Sequence, residues 1–208
     1  MIITNGKFKI IEENKRGEKN KMRDKIYLGL VHYPVYNRNQ ETVATSVTNF
    51  DIHDISRSCS TYDVKGYHII TPVDAQVELT SRVIGYWKDG MGGKYNKDRE
   101  EAFTHTYVTE SIEKAVEEIE KVEGKKPVII TTSARVYDNS ISYEGMSEKI
   151  FNDDNVYLLL FGTGHGLIDE IMESCDHILD PIRGKTRYNH LSVRSAVAII
   201  LDRLLGEK

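Results

Sequence analysis

Three groups of residues in this chain are of types and spacings that do chemistry. The first is a run of alternating glycines, Gly162-Thr163-Gly164-His165-Gly166, directly after an apolar segment and read as a turn that opens a helix. Glycine adopts positive φ and has no Cβ, so such a turn lets backbone come close to a small molecule. The second is Asn189-His190-Leu191-Ser192, at the start of an apolar-periodic helix whose first N–H groups are free to donate. Two ligand-shaped turns in one stretch, Val156 to Arg194, make half of a pocket for a nucleoside cofactor. The third is Asn49, His53 and Arg57, which recur every four residues and so share one helix face. An arginine there offers a fixed, charged fork to a phosphate or an acceptor group; the same stripe is also compatible with a solvated face.

Two further groups carry less. Asp51, His53 and Asp54 are metal-ligand types, but residues one or two apart on a helix do not converge, so no metal is expected. Gly90-Met91-Gly92-Gly93-Lys94 lacks the GxxxxGK[ST] spacing and no strand leads into it, so a flexible loop is expected there.

The elements that must position these groups alternate. Ile26–Val31 and Gly66–Thr71 read as buried strands, the first covered on both faces; Phe103–Val108, Pro127–Thr131 and the apolar run from Val156 read as further strands, and a shorter one ends at Asp180. Between them lie helical patterns. After Thr48 or Asn49, Ile52, Ile55, Cys59 and Tyr62 form one apolar stripe; Ile112, Ala115, Val116, Ile119 and Val122 form another, ended by Gly124. Asp74–Trp87, a short helix near Tyr143–Phe151 and a last one from Ser192 complete the set. Thr109 reads as the cap of the helix after the third strand. Alternation of this kind implies an α/β domain with a mostly parallel sheet and ligands at the carboxyl ends of its strands, here His32, Thr71, Thr131 to Ala134, Phe161 to Gly166 and Asp180 to Ile182.

Composition narrows the partners. The 208 residues carry 28 basic and 32 acidic side chains, and eight of the basic ones fall within residues 1–25, leaving a body of net charge −8. Residues 1–24 read as a basic leader and 25–208 as one domain. An acidic body does not bind polyanions indiscriminately, so any nucleic acid must be met by a local basic patch. Arg38, Arg183, Lys185, Arg187 and Arg194 are the candidates, with the leader. Two separated cysteines, no signal-peptide pattern and no apolar run near the ~20 residues of a membrane span lead us to expect a cytoplasmic protein without disulfides or a membrane contact.

The glycine turn has two readings. With Asp180 as a ribose acid it resembles a dinucleotide fingerprint and an NAD-binding oxidoreductase, but the spacing is GxGxG and too little chain follows for further βαβ units. The other reading is a cofactor held by loops, and specific residues support it. Thr48-Asn49 through Arg57, Leu159 through Leu167, and Ile182-Arg183-Gly184 through Tyr188-Asn189-His190-Leu191-Ser192-Val193 resemble the three motifs of the SPOUT RNA methyltransferases, over roughly residues 25 to 205. The runs His32 to Asn37, TNFDIHDISR, FGTGHGL and YNHLSVRSA are most similar to a bacterial branch of probable RNA methyltransferases, some fused to a tRNA guanine-N1 methyltransferase.

The resemblance implies an α/β-knot with helices on both faces of the sheet, a C-terminal trefoil knot, and a homodimer with its pockets at the interface. It implies S-adenosyl-L-methionine as cofactor, held by Thr131, Ser133, Gly162, Thr163, Gly164, Gly166, Ile182, Leu191 and Ser192. It implies Arg57, Asn49, His190 and Asn189 at the catalytic positions and a nucleotide of tRNA or rRNA as the acceptor, with no metal required. In the family's second motif a Glu usually stands where this chain has Gly164, and in its third an Asn stands where this chain has His190. A non-catalytic protein that binds S-adenosylmethionine or another nucleotide in a regulatory role remains the alternative of a different class.

Overall fold

Apolar strands without alternation need cover on both faces, and the central strands receive it. The computed structural model describes residues 25–207, so the basic leader of residues 1–24 lies outside the described residues. Strand β1 (Ile26–Val31) is buried along its whole length. It pairs with β4 (Gly66–Ile70) on one side and β8 (Tyr157–Gly162) on the other. With β5 (Thr106–Thr109), β6 (Val128–Thr132), β7 (Ser140–Ile141) and β9 (His177–Leu179) the sheet has the order β5-β4-β1-β8-β6-β9-β7, and every pairing in it is parallel. A small hairpin, β2 (Val35–Tyr36) and β3 (Thr42–Val43), stands beside it.

The helices are α1 (Asn49–Thr61), α2 (Asp74–Lys88), α3 (Met91–Tyr95), α4 (Lys97–Phe103), α5 (Ile112–Glu123), α6 (Tyr143–Asn152), α7 (Asp169–Ser174) and α8 (Val193–Leu205). Side chains alternate along each strand, so one strand feeds two cores. Leu28 and Leu30 of β1 and Leu159 and Phe161 of β8 face a core shared with α1, α2, α4, α6 and α8. Tyr27, Val31, Leu158 and Leu160 face a second core, closed by Ala115 and Ile119 of α5 and Met172 of α7. Thr48 starts α1 through a capping box with Asp51, and Ser192 starts α8 by accepting from the Ser195 N–H. Helices α1 and α8 are further tied by a hydrogen bond of 3.0 Å from the Tyr62 hydroxyl to Asp202.

The chain runs outward from β1 to β4 and β5, crosses to β6, and only later inserts β8 beside β1. The connections leaving β1 and β8 therefore diverge, which opens a crevice at their carboxyl ends. Among the described residues no helix is long and apolar enough to cross a membrane.

Four expectations are corrected. Phe103 ends α4 rather than opening a strand, and its buried ring packs with His53 of α1 and Trp87 of α2; β5 starts at Thr106. Gly90 to Lys94 is not a loop: Gly92 and Gly93 are the bare positions that let α3 dock on Tyr86 and Trp87, where a Cβ on Gly92 would stand 2.5 Å from the Tyr86 ring. Ser111, not Thr109, caps α5, while Thr109 is drawn into β5. The glycine turn does not open a helix; its following residues run back beside β2, with Leu167 bridging Val35, and α7 starts only at Asp169.

Ile55 is fully buried where α1 meets the sheet, so its truncation leaves a cavity that the fixed strands cannot close. We expect Ile55→Ala to lower the unfolding free energy by about 2–5 kcal/mol in urea titrations with an unchanged slope.

Candidate active site

The carboxyl ends of β1, β6, β8 and β9 surround a cavity of about 760 Å³, in the size range of small-molecule sites. One wall is the glycine turn. Gly164 and Gly166 have φ of 58° and 103°, where side chains are strained, and a Cβ on Gly164 would lie 2.9 Å from the Tyr36 carbonyl. A Cβ on Gly162 would lie 2.7 Å from the Leu167 nitrogen. The turn is held from below: Thr163 donates its N–H (3.2 Å) and its hydroxyl (2.9 Å) to the Val31 carbonyl. From the side, Tyr36 N–H donates to the Gly166 carbonyl and His165 N–H to the Tyr36 carbonyl, each at 2.9 Å.

The opposite wall is the loop from Ile182 to Ser192 and the first turn of α8. Asn189 donates to the Ala134 carbonyl at 2.9 Å, which joins this loop to the segment after β6. Ile182, Leu191, Val193, Ala196 and Ile200 with Phe161 give the cavity an apolar floor. Asp180 borders it too, fixed by the Ser140 hydroxyl and with its carbonyl accepting from Tyr143 at 2.7 Å.

The third side was not expected in detail. His32, Tyr36, Thr45, Ser46 and Asp51 line it. His32 is 1% exposed, its Nδ1 is 3.0 Å from the Thr45 hydroxyl, and its Nε2 has no hydrogen-bond partner among the described residues. Burial pushes this imidazole down to about 4, with the nearby Asp51 carboxylate pulling it the other way. His32 was visible in the sequence as a polar residue closing an apolar strand. Tyr36, Thr45 and Ser46 had no such mark, since the β2–β3 hairpin and its exit bring them in, and Asp51 arrives on the first turn of α1.

Of the sequence-predicted residues, Ser133, Gly162, Thr163, Gly164, Gly166, Ile182, Asn189, His190, Leu191 and Ser192 border the cavity. Thr131 does not: period-two alternation turns it to the other face, where its hydroxyl is 3.2 Å from Cys175 Sγ, and Thr132 points to the cavity instead. Asn49 and Arg57 are exposed on α1 outside the cavity. His53 on the same stripe packs edge-on against Trp87 and Phe103, at 5.4 and 4.9 Å between ring centres. Arg57 does not pair with Asp54, which takes Arg194 at 3.3 Å. That pairing, the 3.8 Å approach to Asp51 and a seat over the Phe50 ring commit Arg194 to α1 rather than to a phosphate. Arg183, Lys185 and Arg187 stay exposed on the loop. A pyrophosphate at a helix start, which a dinucleotide site requires, has no helix at the glycine turn to use. Among the described residues no three His, Cys, Asp or Glu side chains gather as a metal site.

A family model described as SAM-dependent RNA methyltransferase matches residues 25–206. An uncharacterised protein of Aquifex aeolicus is 39% identical over 185 residues, covering 89% of this chain and 90% of the relative. A tRNA (guanine-N(1)-)-methyltransferase of Oleidesulfovibrio alaskensis is 43% identical over 182 residues, 88% of this chain but 42% of the relative, so the chain spans less than half of that protein. In fold, the chain is similar to the SpoU methyltransferase AviRb from Streptomyces viridochromogenes, with a TM-score of 0.54 and 15% identity over 88% of this chain and 59% of that one.

Two buried histidines give the fold a pH dependence. His32 and His68 are both pushed down to about 4 by burial, against an unfolded value near 6.5, so the unfolded chain takes up more protons below that value. Stability is fully present above pH 6.5 and is lost as pH falls toward 4. Urea unfolding at pH 7 and pH 5 is expected to differ by about 2 kcal/mol for each histidine, and His32→Asn or His68→Asn to shrink the difference.

Proposed function

The chain belongs to the family of S-adenosylmethionine-dependent RNA methyltransferases, and we propose on that premise that this cavity seats the cofactor and that the protein methylates one nucleotide of tRNA or rRNA. The observation that carries the reading is the glycine turn. It lines the cavity with three residues that carry no side chain, Gly162, Gly164 and Gly166, opposite an apolar floor suited to an adenine ring.

The chemistry and the residues fit. When bound, S-adenosylmethionine supplies an electrophilic methyl group on a sulfonium, so positioning of the acceptor is the main task left to the protein. Gly162, Thr163, Gly164 and Gly166 would hold the cofactor from one side. Ile182, Leu191 and Ser192 would hold it from the other, with Ser133 and the backbone around Thr131 at the end. His190 and Asn189 border the cavity beside them and would contact the acceptor. Exposed Arg183, Lys185 and Arg187 provide the local positive charge that an acidic body needs to receive RNA phosphates.

Arg57 and Asn49 lie outside the cavity of their own chain. In our reading the protein is a cytoplasmic homodimer in which they serve the partner's cavity, and the last segment is threaded as a trefoil knot. The guanine of tRNA named for the Oleidesulfovibrio relative is one acceptor to test, since more than half of that protein lies beyond the matched region.

Calorimetry is expected to give binding of S-adenosylmethionine and none of NAD. Tritium from labelled cofactor is expected to enter total RNA of a strain lacking the gene, with Arg57→Ala slowing transfer about 10²–10⁴-fold at unchanged cofactor affinity. Cofactor binding without incorporation into any RNA would favour the regulatory, non-catalytic reading instead.

A further inference from the structure

The loop from Ile182 to Ser192 carries a second ring beside His190. His190 lines the cavity, and its ring stands 5.5 Å from that of Tyr188, centre to centre, at an angle of 77°, an edge-to-face contact. Tyr188 is not part of the cavity lining and is 72% exposed, so this contact leaves most of its ring to solvent. A single exposed tyrosine is ordinary on a protein surface. This one is set apart by its surroundings. Arg183, Lys185 and Arg187 lead up to it, all exposed and none in an ion pair among the described residues, whereas Arg194 just beyond is held by Asp54 at 3.3 Å. Immediately after it, the Asn189 amide donates to the Ala134 carbonyl at 2.9 Å, which brings up Arg135, exposed and part of the cavity lining. The backbone at Tyr188 is itself tied, its N–H donating to the Thr186 hydroxyl at 3.3 Å.

Resting on the methyltransferase reading, we infer that the Tyr188 ring is a stacking platform for an unpaired nucleobase beside the nucleotide that is methylated, so that the substrate class is RNA unpaired at the site of modification. Cations that follow a phosphate chain, interleaved with an open aromatic ring, are the combination that holds single strands, because every base offers a π-face and stacking needs no particular sequence. In a duplex both faces of a base are covered by its neighbours, and the ring finds no surface to meet. The contact between Tyr188 and His190 extends the platform to the reacting nucleotide: a base on Tyr188 is one ring away from the cavity wall, so its neighbour along the strand is the one placed to enter. Charge agrees with a single strand. A body with eight more acidic than basic residues offers a duplex no broad positive face, and the local cations of this loop and Arg135 suit a few phosphates.

Fluorescence anisotropy of the full chain with a labelled mixed-sequence RNA of about 12 nucleotides, as a single strand and annealed to its complement, reads the binding directly. Tyr188→Ala is expected to weaken single-strand binding about 5–150-fold, the cost of losing one base–aromatic stack, and Tyr188→Phe to stay within about twofold, because the ring stacks and the hydroxyl does not. Duplex binding is expected to be weaker, and equal in wild type and Tyr188→Ala. The slope of log affinity against log salt is expected to be unchanged in Tyr188→Ala and reduced by about 0.7 in Arg187→Ala, which separates stacking from phosphate contact. Calorimetric affinity for S-adenosylmethionine is expected to stay within about threefold in each variant. A Tyr188→Ala affinity equal to wild type, an equal loss in Tyr188→Phe, or a duplex bound as tightly as the single strand overturns the platform. So does a wild-type dimer that Tyr188→Ala converts to monomer in sedimentation at the same concentration, since the ring then belongs to an interface between two copies. Single-strand binding with the expected losses but no methyl incorporation into any RNA supports the platform and overturns the methyltransferase reading; incorporation by a protein whose single-strand binding is indifferent to Tyr188 overturns the platform alone.

Discussion

The carbonyl of Val31 is the point on which the site depends. It ends β1, and it receives both the N–H and the hydroxyl of Thr163 from the end of β8. Two strands that are neighbours in the sheet are pinned together, by residues 132 apart in sequence, just where their connections diverge. Pinning the turn there leaves it little room. The β2 residues press on it from the side, so Gly164 meets the Tyr36 carbonyl and Gly162 meets Leu167. Glycine at these positions is a steric consequence of the junction as well as an opening for a ligand, and the two requirements coincide.

The same junction organises the charge. A body with eight more acidic than basic residues repels polyanions at a distance. Arg194, the basic residue nearest the base of α8, is spent on Asp51 and Asp54 of α1. That pairing is partly exposed and contributes modestly to stability, but it sets the orientation of the two helices that carry Ser192 and Asp51 to the cavity. Positive charge free to meet phosphate is left on the Arg183 to Arg187 loop and on Arg135, at the cavity mouth. Attraction of a polyanion by charge of this kind is local and salt-sensitive.

Much of this was legible beforehand because it rests on local rules. Uninterrupted apolar runs marked the central strands, the 3.6-residue stripes marked α1, α5 and α8, and Gly124 with φ of 72° ends α5 as expected of a C-terminal glycine. Motif likeness supplied the cavity's two principal loops. What escaped has nonlocal causes. Phe103 looks like a strand residue until His53 and Trp87 of two helices are seen to enclose its ring, and the glycines before Lys94 look flexible until Tyr86 and Trp87 are seen to need bare backbone against them. Thr131 and Thr132 differ by one residue of register, which no composition rule resolves, and the register is fixed by pairing with β8 and β9. The hydroxyl chain behind His32 joins residues 32, 45 and 163, and no window along the sequence contains them together.

That chain also bears on how a buried polar site is kept at low cost. Thr45 and Thr163 are otherwise ordinary residues of a hairpin and a turn, and each gives its one proton forward, so the polarity ends on a backbone oxygen that needs donors. Removing either hydroxyl would free the ring to turn or change its proton, and would also alter the cavity wall, which both threonines line. The geometry of this wall is thus fixed by two of its own residues, Thr45 and Thr163, tied to the carbonyl that ends β1. The loop on the opposite wall is the reverse case: apart from Asn189 it is exposed, and its basic residues have the freedom to follow a phosphate chain. One wall is thus fixed by hydrogen bonds at the strand ends, while the other is tied to the rest of the cavity through Asn189.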